Sequence, residues 1–148
     1  MKSIQLSNNE FFDLTKKVLQ EGISVDIRVK GNSMRPFLFN GEVVTIAPLL
    51  PQYELTEGLI VLADTDFGQV MMHRIRRIAG ERIIMQGDGN LYQREEIRCE
   101  QIFGIAKTFR KGERNLSLYT PARRMAARMW RFYPIRRIGL FLLRIFKR

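Results

Sequence analysis

A serine held in a tight turn directly after a strand has an exposed hydroxyl and a free backbone N–H. An acyl-transfer nucleophile and its oxyanion contact need both. The stretch Val29-Lys30-Gly31-Asn32-Ser33-Met34-Arg35-Pro36-Phe37-Leu38 puts Ser33 in that setting. A Gly-x-Ser turn alone is also ordinary turn chemistry, so the reading depends on a base. His73 is the one histidine of the chain and lies in the apolar run Val70-Met71-Met72-His73-Arg74-Ile75. A lone strand histidine is commonly a buried ring with satisfied nitrogens. Against that, no lysine occurs between Lys30 and Lys107, which excludes a Ser–Lys dyad drawn from the strands after Ser33. An imidazole, titrating near neutral pH, is then the natural partner.

Other chemistries find little support. Cys99 is the one cysteine, so neither an internal disulfide nor a zinc site of several cysteines can form. With a single histidine and no convincing carboxylate cluster, no metal and no cofactor is expected. The 45% apolar and 27% charged residues are those of a globular chain long enough for one domain and an appendage.

The elements that must hold Ser33 and His73 follow from a change of period. Phe11, Phe12, Leu14, Val18 and Leu19 recur at helical spacing behind a cap at Ser7 or Asn8, and Gly22 ends that helix. Ile23, Val25, Ile27 and Val29 then alternate with Ser24, Asp26, Arg28 and Lys30, the pattern of a half-buried strand. Further short strands are expected at 42–47, 59–63, 69–79, 82–86 and 102–109. Asn40-Gly41, Glu57-Gly58, Gly80-Glu81 and Gly87-Asp88-Gly89-Asn90 supply turns between them. The fold class expected is mainly β: a coiled antiparallel sheet or open barrel, with an N-terminal helix and basic C-terminal helices. The divisions expected are 1–22 for the helix, 23–110 for the β domain and 111–148 for the tail.

Four boxes in order resemble the signal peptidase I and LexA-like serine peptidase superfamily. Gly31-Asn32-Ser33-Met34-Arg35-Pro36 is similar to the nucleophile box, and Met71-Met72-His73-Arg74-Ile75 to the box in which the general base precedes an arginine. Gln86-Gly87-Asp88-Gly89-Asn90 resembles the Gly-Asp-x-Asn box, and Glu100-Gln101-Ile102-Phe103-Gly104 the closing strand. Bacterial signal peptidases and the repressors carry lysine as base; the archaeal and endoplasmic-reticulum type carries histidine, as here. The resemblance implies that Ser33 attacks a peptide carbonyl, His73 takes its proton, and the Ser33 N–H donates to the oxyanion. Asp88 would orient His73, or else cap an Asx turn. Signal peptidases carry Ser-Gly before the nucleophile, and that first serine adds to the oxyanion hole; here the pair reads Gly31-Asn32, so the Asn32 amide would supply that contact instead, and Met34 and Pro36 would shape the turn and cleft. Phe37 and Leu38 would pack into the core. The histidine-type enzymes have a second aspartate beyond the Gly-Asp box. Here that region reads Arg94-Glu95-Glu96, so a glutamate serves or the role is empty. The function implied is a serine endopeptidase that cuts a leader or precursor peptide. Its rivals are a catalytically silent module of the same fold that binds a peptide or partner, and a LexA-like regulator with a nucleic-acid-binding tail.

Charge is unevenly placed. The chain carries +10 overall, yet residues 107–148 hold 13 Lys and Arg against Glu113 alone. Thr120-Pro121 starts a helix, Pro134 breaks it, and arginines alternate with Met129, Trp130, Phe132, Tyr133, Leu140, Phe141, Leu142 and Phe146. Such helices suit an anionic membrane surface or an apolar protein partner through residues 120–148. The alternative is that they fold back on the sheet and leave a solvated arginine face. The Gly139–Phe146 side is too apolar for a DNA-facing helix, so nucleic acid is not expected. Met1 to Leu14 lacks the apolar run of a signal peptide, and Ile138 to Leu143 is far shorter than the roughly 20 residues of a membrane span. A cytoplasmic protein, or one peripheral on the cytoplasmic face of a membrane, is expected.

Overall fold

The change of period at Gly22 is a change of element. The computed structural model describes residues 8–50 and 55–146. Its first helix, α1 (Asn8–Gln20), lays Leu19 into the core with Phe11 and Phe12 beside it. Of the caps expected there, Ser7 and the side chain of Asn8 lie outside the described residues.

Eight strands follow: β1 (Val25–Arg28), β2 (Val43–Pro48), β3 (Ile60–Asp64), β4 (Val70–Ala79), β5 (Arg82–Gln86), β6 (Glu95–Arg98), β7 (Ile102–Lys111) and β8 (Arg114–Ser117). They form one antiparallel sheet in the order β1-β2-β7-β3-β4-β5-β6, with β8 on β7, curled into a half-barrel. The expected fold class holds. Two strands were not expected. β6, Glu-Glu-Ile-Arg, has one apolar residue and is a strand because it pairs with β5 from Arg82↔Arg98 to Met85↔Glu95. β8 returns along β7, so the sheet continues past residue 110 into the segment expected to be tail.

Curling divides the apolar side chains into two clusters. Leu19, Ile27, Met34, Leu38, Val44, Ile46 and Phe109 are among those of one, under α1. Val61, Ile75, Ile83, Met85, Ile97 and Ile105 are among those of the other. Tyr119 joins two neighbouring strands of the sheet. Its hydroxyl accepts from the Ile60 N–H of β3 at 3.0 Å and donates to the Ala106 carbonyl of β7 at 2.5 Å.

The tail forms α2 (Pro121–Trp130) and α3 (Tyr133–Ile145). Thr120 Oγ1 accepts from the Arg123 N–H at 3.2 Å and Pro121 occupies the first turn, as a helix start requires. Pro134 falls in the first turn of α3, so the break lies before it. Both helices return to the body. Trp130 Nε1 donates to the Asp88 carbonyl at 2.7 Å, Arg131 Nη2 to that of Arg76 at 3.2 Å, and the buried Arg136 to that of Asn90 at 2.8 Å. Among the described residues, no helix is long and apolar enough to cross a membrane.

Candidate active site

His73 and Arg74 are consecutive residues of β4, and consecutive strand residues point to opposite faces. Both are buried here, 5% and 6% exposed, so each needs a polar partner of its own. β6, two strands from β4, presents Glu95, itself 7% exposed, and its Oε1 pairs with His73 Nδ1. The turn after β5 presents Asp88, which takes the Arg74 fork: Nε to Oδ1 at 2.9 Å and Nη2 to Oδ2 at 2.8 Å, while Nη1 donates to the Gly58 carbonyl at 2.8 Å. The acidic partner of the histidine is therefore Glu95. Asp88, expected either to orient His73 or to cap a turn, makes no hydrogen bond to it; its carboxylate is committed to Arg74 on the other face.

With Nδ1 engaged by a carboxylate, Nε2 is left as the basic nitrogen. It faces the Gly87-Asp88-Gly89-Asn90 turn, which the Asn90 N–H closes on the Gly87 carbonyl at 3.0 Å. This turn lies against the backbone of Ser33. The Gly89 N–H donates to the Ser33 carbonyl at 2.7 Å. A Cβ at Gly87 would stand 2.4 Å from that same carbonyl oxygen and 3.1 Å from His73 Nε2. A Cβ at Gly89 would stand 2.4 Å from the Asn32 carbonyl. Only glycines permit so close an approach. The serine turn and the histidine strand, forty residues apart in the chain, are thus neighbours across one glycine. No hydrogen bond joins Ser33 Oγ to His73 Nε2.

The remaining predicted residues divide between core and cleft. Met34, 2% exposed, is a core side chain, with Leu38 fully buried beside it. Phe37 is half-buried rather than in the core: its ring lies 5.0 Å from the Arg74 guanidinium and edge-on to Trp130 at 6.2 Å. Asn32 is exposed and borders a cleft of about 530 Å³, with Arg35, Asn90, Leu140, Leu143 and Arg144 among its walls. Pro36 borders an adjoining apolar hollow of about 300 Å³ with Trp130, Gly139 and Phe146. One wall of the cleft is therefore α3, which sequence reasoning had set apart from the site.

The ground behind the site is crowded with cations. Burial, together with Arg136, Arg131 and Arg94, pushes the Arg76 guanidinium down to about 10. Burial also lowers Arg136, against the pull of Asp88. Two acids stand among them, Asp88 on Arg74 and Glu57 at 3.7 Å from Arg131.

Glu95 carried a weak signal in the sequence. Glu95 and Ile97 alternate with Glu96 and Arg98, and the first pair points inward. The Arg74–Asp88 pair had no comparable signal, because a strand arginine beside the base reads as solvent-facing until something covers it.

A family model described as Peptidase S24-like matches residues 2–108. The chain belongs to that family, within the superfamily of signal peptidases and LexA-like repressors. No curated protein matches it. The matched region ends before α2 and α3 begin, so α3, which walls the cleft, and α2 before it lie outside the matched part.

Proposed function

We propose that this protein is a serine endopeptidase that cuts a leader or precursor peptide, with Ser33 as nucleophile, His73 as general base and Glu95 as the acid behind it. The observation that carries the reading is the shared contact at Gly87, where the Ser33 backbone and the His73 Nε2 meet. Glu95 holds His73 in the tautomer whose Nε2 is free and stabilises the imidazolium that forms when the base takes a proton. Ser33 Oγ attacks the scissile carbonyl as Nε2 removes its proton. The Ser33 N–H is the donor available to the oxyanion, and the exposed Asn32 amide stands beside it. The imidazolium then protonates the leaving amine, and water hydrolyses the acyl-enzyme by the reverse use of His73. The cleft beside the serine turn suits an extended peptide, since Leu140 and Leu143 offer apolar contact and Arg35 and Arg144 favour acidic side chains.

A fluorophosphonate serine probe tests the assignment. Labelling confined to Ser33, lost in Ser33→Ala and strongly slowed in His73→Ala, is the expected result. A second reading, a peptide-binding module that does not hydrolyse, is favoured by the absence of a Ser33–His73 hydrogen bond. Catalytic hydrogen bonds are often loose in a free enzyme and tighten around substrate. No labelling of Ser33 at any pH, with retained peptide binding, establishes the second reading over the first.

A further inference from the structure

Helix α3 has two unlike long sides. Toward the body it turns Arg136, 3% exposed, and the half-buried Leu140 and Leu143 that wall the cleft. Toward solvent it turns Ile138, Phe141 and Ile145, 62%, 58% and 56% exposed, with Phe146 at 77% just past its end. The body thus satisfies one stripe of the helix and leaves a second apolar stripe bare. Met125, Met129 and Phe132 of the preceding helix and its link are bare as well. Monomeric proteins rarely expose so many large apolar side chains together without a use for them.

The charges around this stripe indicate what covers it. Arg124, Arg128, Arg137 and Arg144 are exposed, Arg124 and Arg128 at the rim of the groove between α2 and residues 56–59 and Arg144 at the rim of the cleft, and among the described residues none of them is paired with a carboxylate. Between Lys107 and the end of the chain the sole acid is Glu113. A protein partner would have to be both apolar and strongly acidic, and a second copy of this chain would bring like charges together. An anionic bilayer supplies a negative surface over an apolar interior, in the layered order that arginines flanking phenylalanines and isoleucines require.

We infer that the solvent-facing side of α2 and α3 docks in the plane of an anionic lipid surface. This docking does not depend on Ser33 being catalytic. Because Leu140 and Leu143 wall the cleft from the other side of the same helix, docking sets the cleft beside the headgroups, where a membrane-bound or emerging peptide would meet it.

The test is co-sedimentation of the full chain with vesicles of phosphatidylcholine and phosphatidylglycerol in equal amounts, beside vesicles of phosphatidylcholine alone. Binding to the mixed vesicles, weakened by salt and nearly absent with phosphatidylcholine alone, is expected. Arg128→Gln and Arg137→Gln should each lower the partition coefficient about fivefold. The double variant Phe141→Glu/Ile145→Glu, at exposed positions, should abolish binding while leaving the circular dichroism spectrum unchanged. Indifference to lipid charge, no vesicle binding, or binding unaltered in the double variant would each overturn the inference. So would tight association with duplex DNA, or a dimer lost in the double variant, where vesicle binding is absent. Serine labelling measured on the same samples separates this outcome from the fate of the peptidase reading.

Discussion

Glu95 reaches His73 from two strands away and takes its Nδ1, so the carboxylate against the histidine ring comes from β6, while that of the turn after β5 meets Arg74. Glu95→Gln keeps the side-chain shape but can stabilise the tautomer with the proton on Nε2. On the proposed peptidase reading, hydrolysis should fall on the order of 10³- to 10⁴-fold in kcat, by the precedent of triad acids. His73→Ala should fall at least as far, and the double variant no further than His73→Ala alone. Steady-state kinetics of the three variants check this, and independent multiplicative losses would show that the two residues do not act together.

Asp88 and Arg74 form a buried bidentate pair, 2% and 6% exposed. Asp88→Ala strands a buried guanidinium and should cost about 3–5 kcal/mol of stability. Replacing both, as Arg74→Met with Asp88→Leu, should recover much of that loss, because neither charge is then left alone. Urea denaturation measures both. A variant at Asp88 that keeps full stability yet loses kcat would return this carboxylate to the chemistry.

Gly139 lets α3 close on Trp130. A Cβ there would stand 2.4 Å from Cζ3 and 2.5 Å from Cη2 of the indole. Gly139→Ala should push the ring off its seat, at about 1–3 kcal/mol for an overpacked contact, and break the bond from Nε1 to the Asp88 carbonyl. Trp130 is the only tryptophan in the chain, so its emission should shift to the red as the ring becomes wet. An unshifted spectrum would mean that α3 moves as a body and carries the ring with it.

Tyr119 gives the fold an alkaline limit. Burial raises its hydroxyl from the ordinary 10.0 to about 12, against the pull of the Ile60 N–H bond. The folded state therefore keeps this proton where the unfolded chain has lost it. The stability so gained is full below pH 10 and is lost as pH rises from 10 to about 12. Its size is on the order of 2–3 kcal/mol. Tyr119→Phe removes both hydroxyl bonds, should cost about 1–3 kcal/mol at neutral pH for the unpaired Ile60 N–H and Ala106 carbonyl, and should flatten that limb. Thermal melts at neutral and alkaline pH compare the two proteins.

Much of the fold was legible because the local signals were redundant. The helical spacing of Phe11, Phe12, Val18 and Leu19, the alternation from Ile23 to Lys30, and the glycine turns between strands all agree with the sheet that forms. β6 was hidden because Ile97 is its one apolar residue, and β8 because Leu116 is one of few in a basic stretch. At the site, Ser33 and His73 could be singled out by type, since the chain offers no second histidine and no suitably placed lysine. Which carboxylate serves which base is a question of faces. It turns on Arg74 being buried, and Arg74 is held by the Phe37 ring, the Asp88 carboxylate and the Gly58 carbonyl, contacts drawn from three distant parts of the chain. Trp130 and Arg136 looked like parts of an appendage for the same reason. Their partners are the carbonyls of Asp88 and Asn90, and carbonyls leave no mark on a sequence.

The short loop 87–90 is the knot of the molecule. Its glycine at 89 holds the carbonyl of Ser33, its aspartate holds the strand of the histidine, and its carbonyls at 88 and 90 hold both terminal helices. Four residues thus tie the Ser33 turn, the His73 strand and the tail together through one set of hydrogen bonds. Local opening that frees the terminal helices must also loosen the loop on which the serine rests, so whatever steadies the tail at its outer side also steadies the Ser33 turn at its inner one.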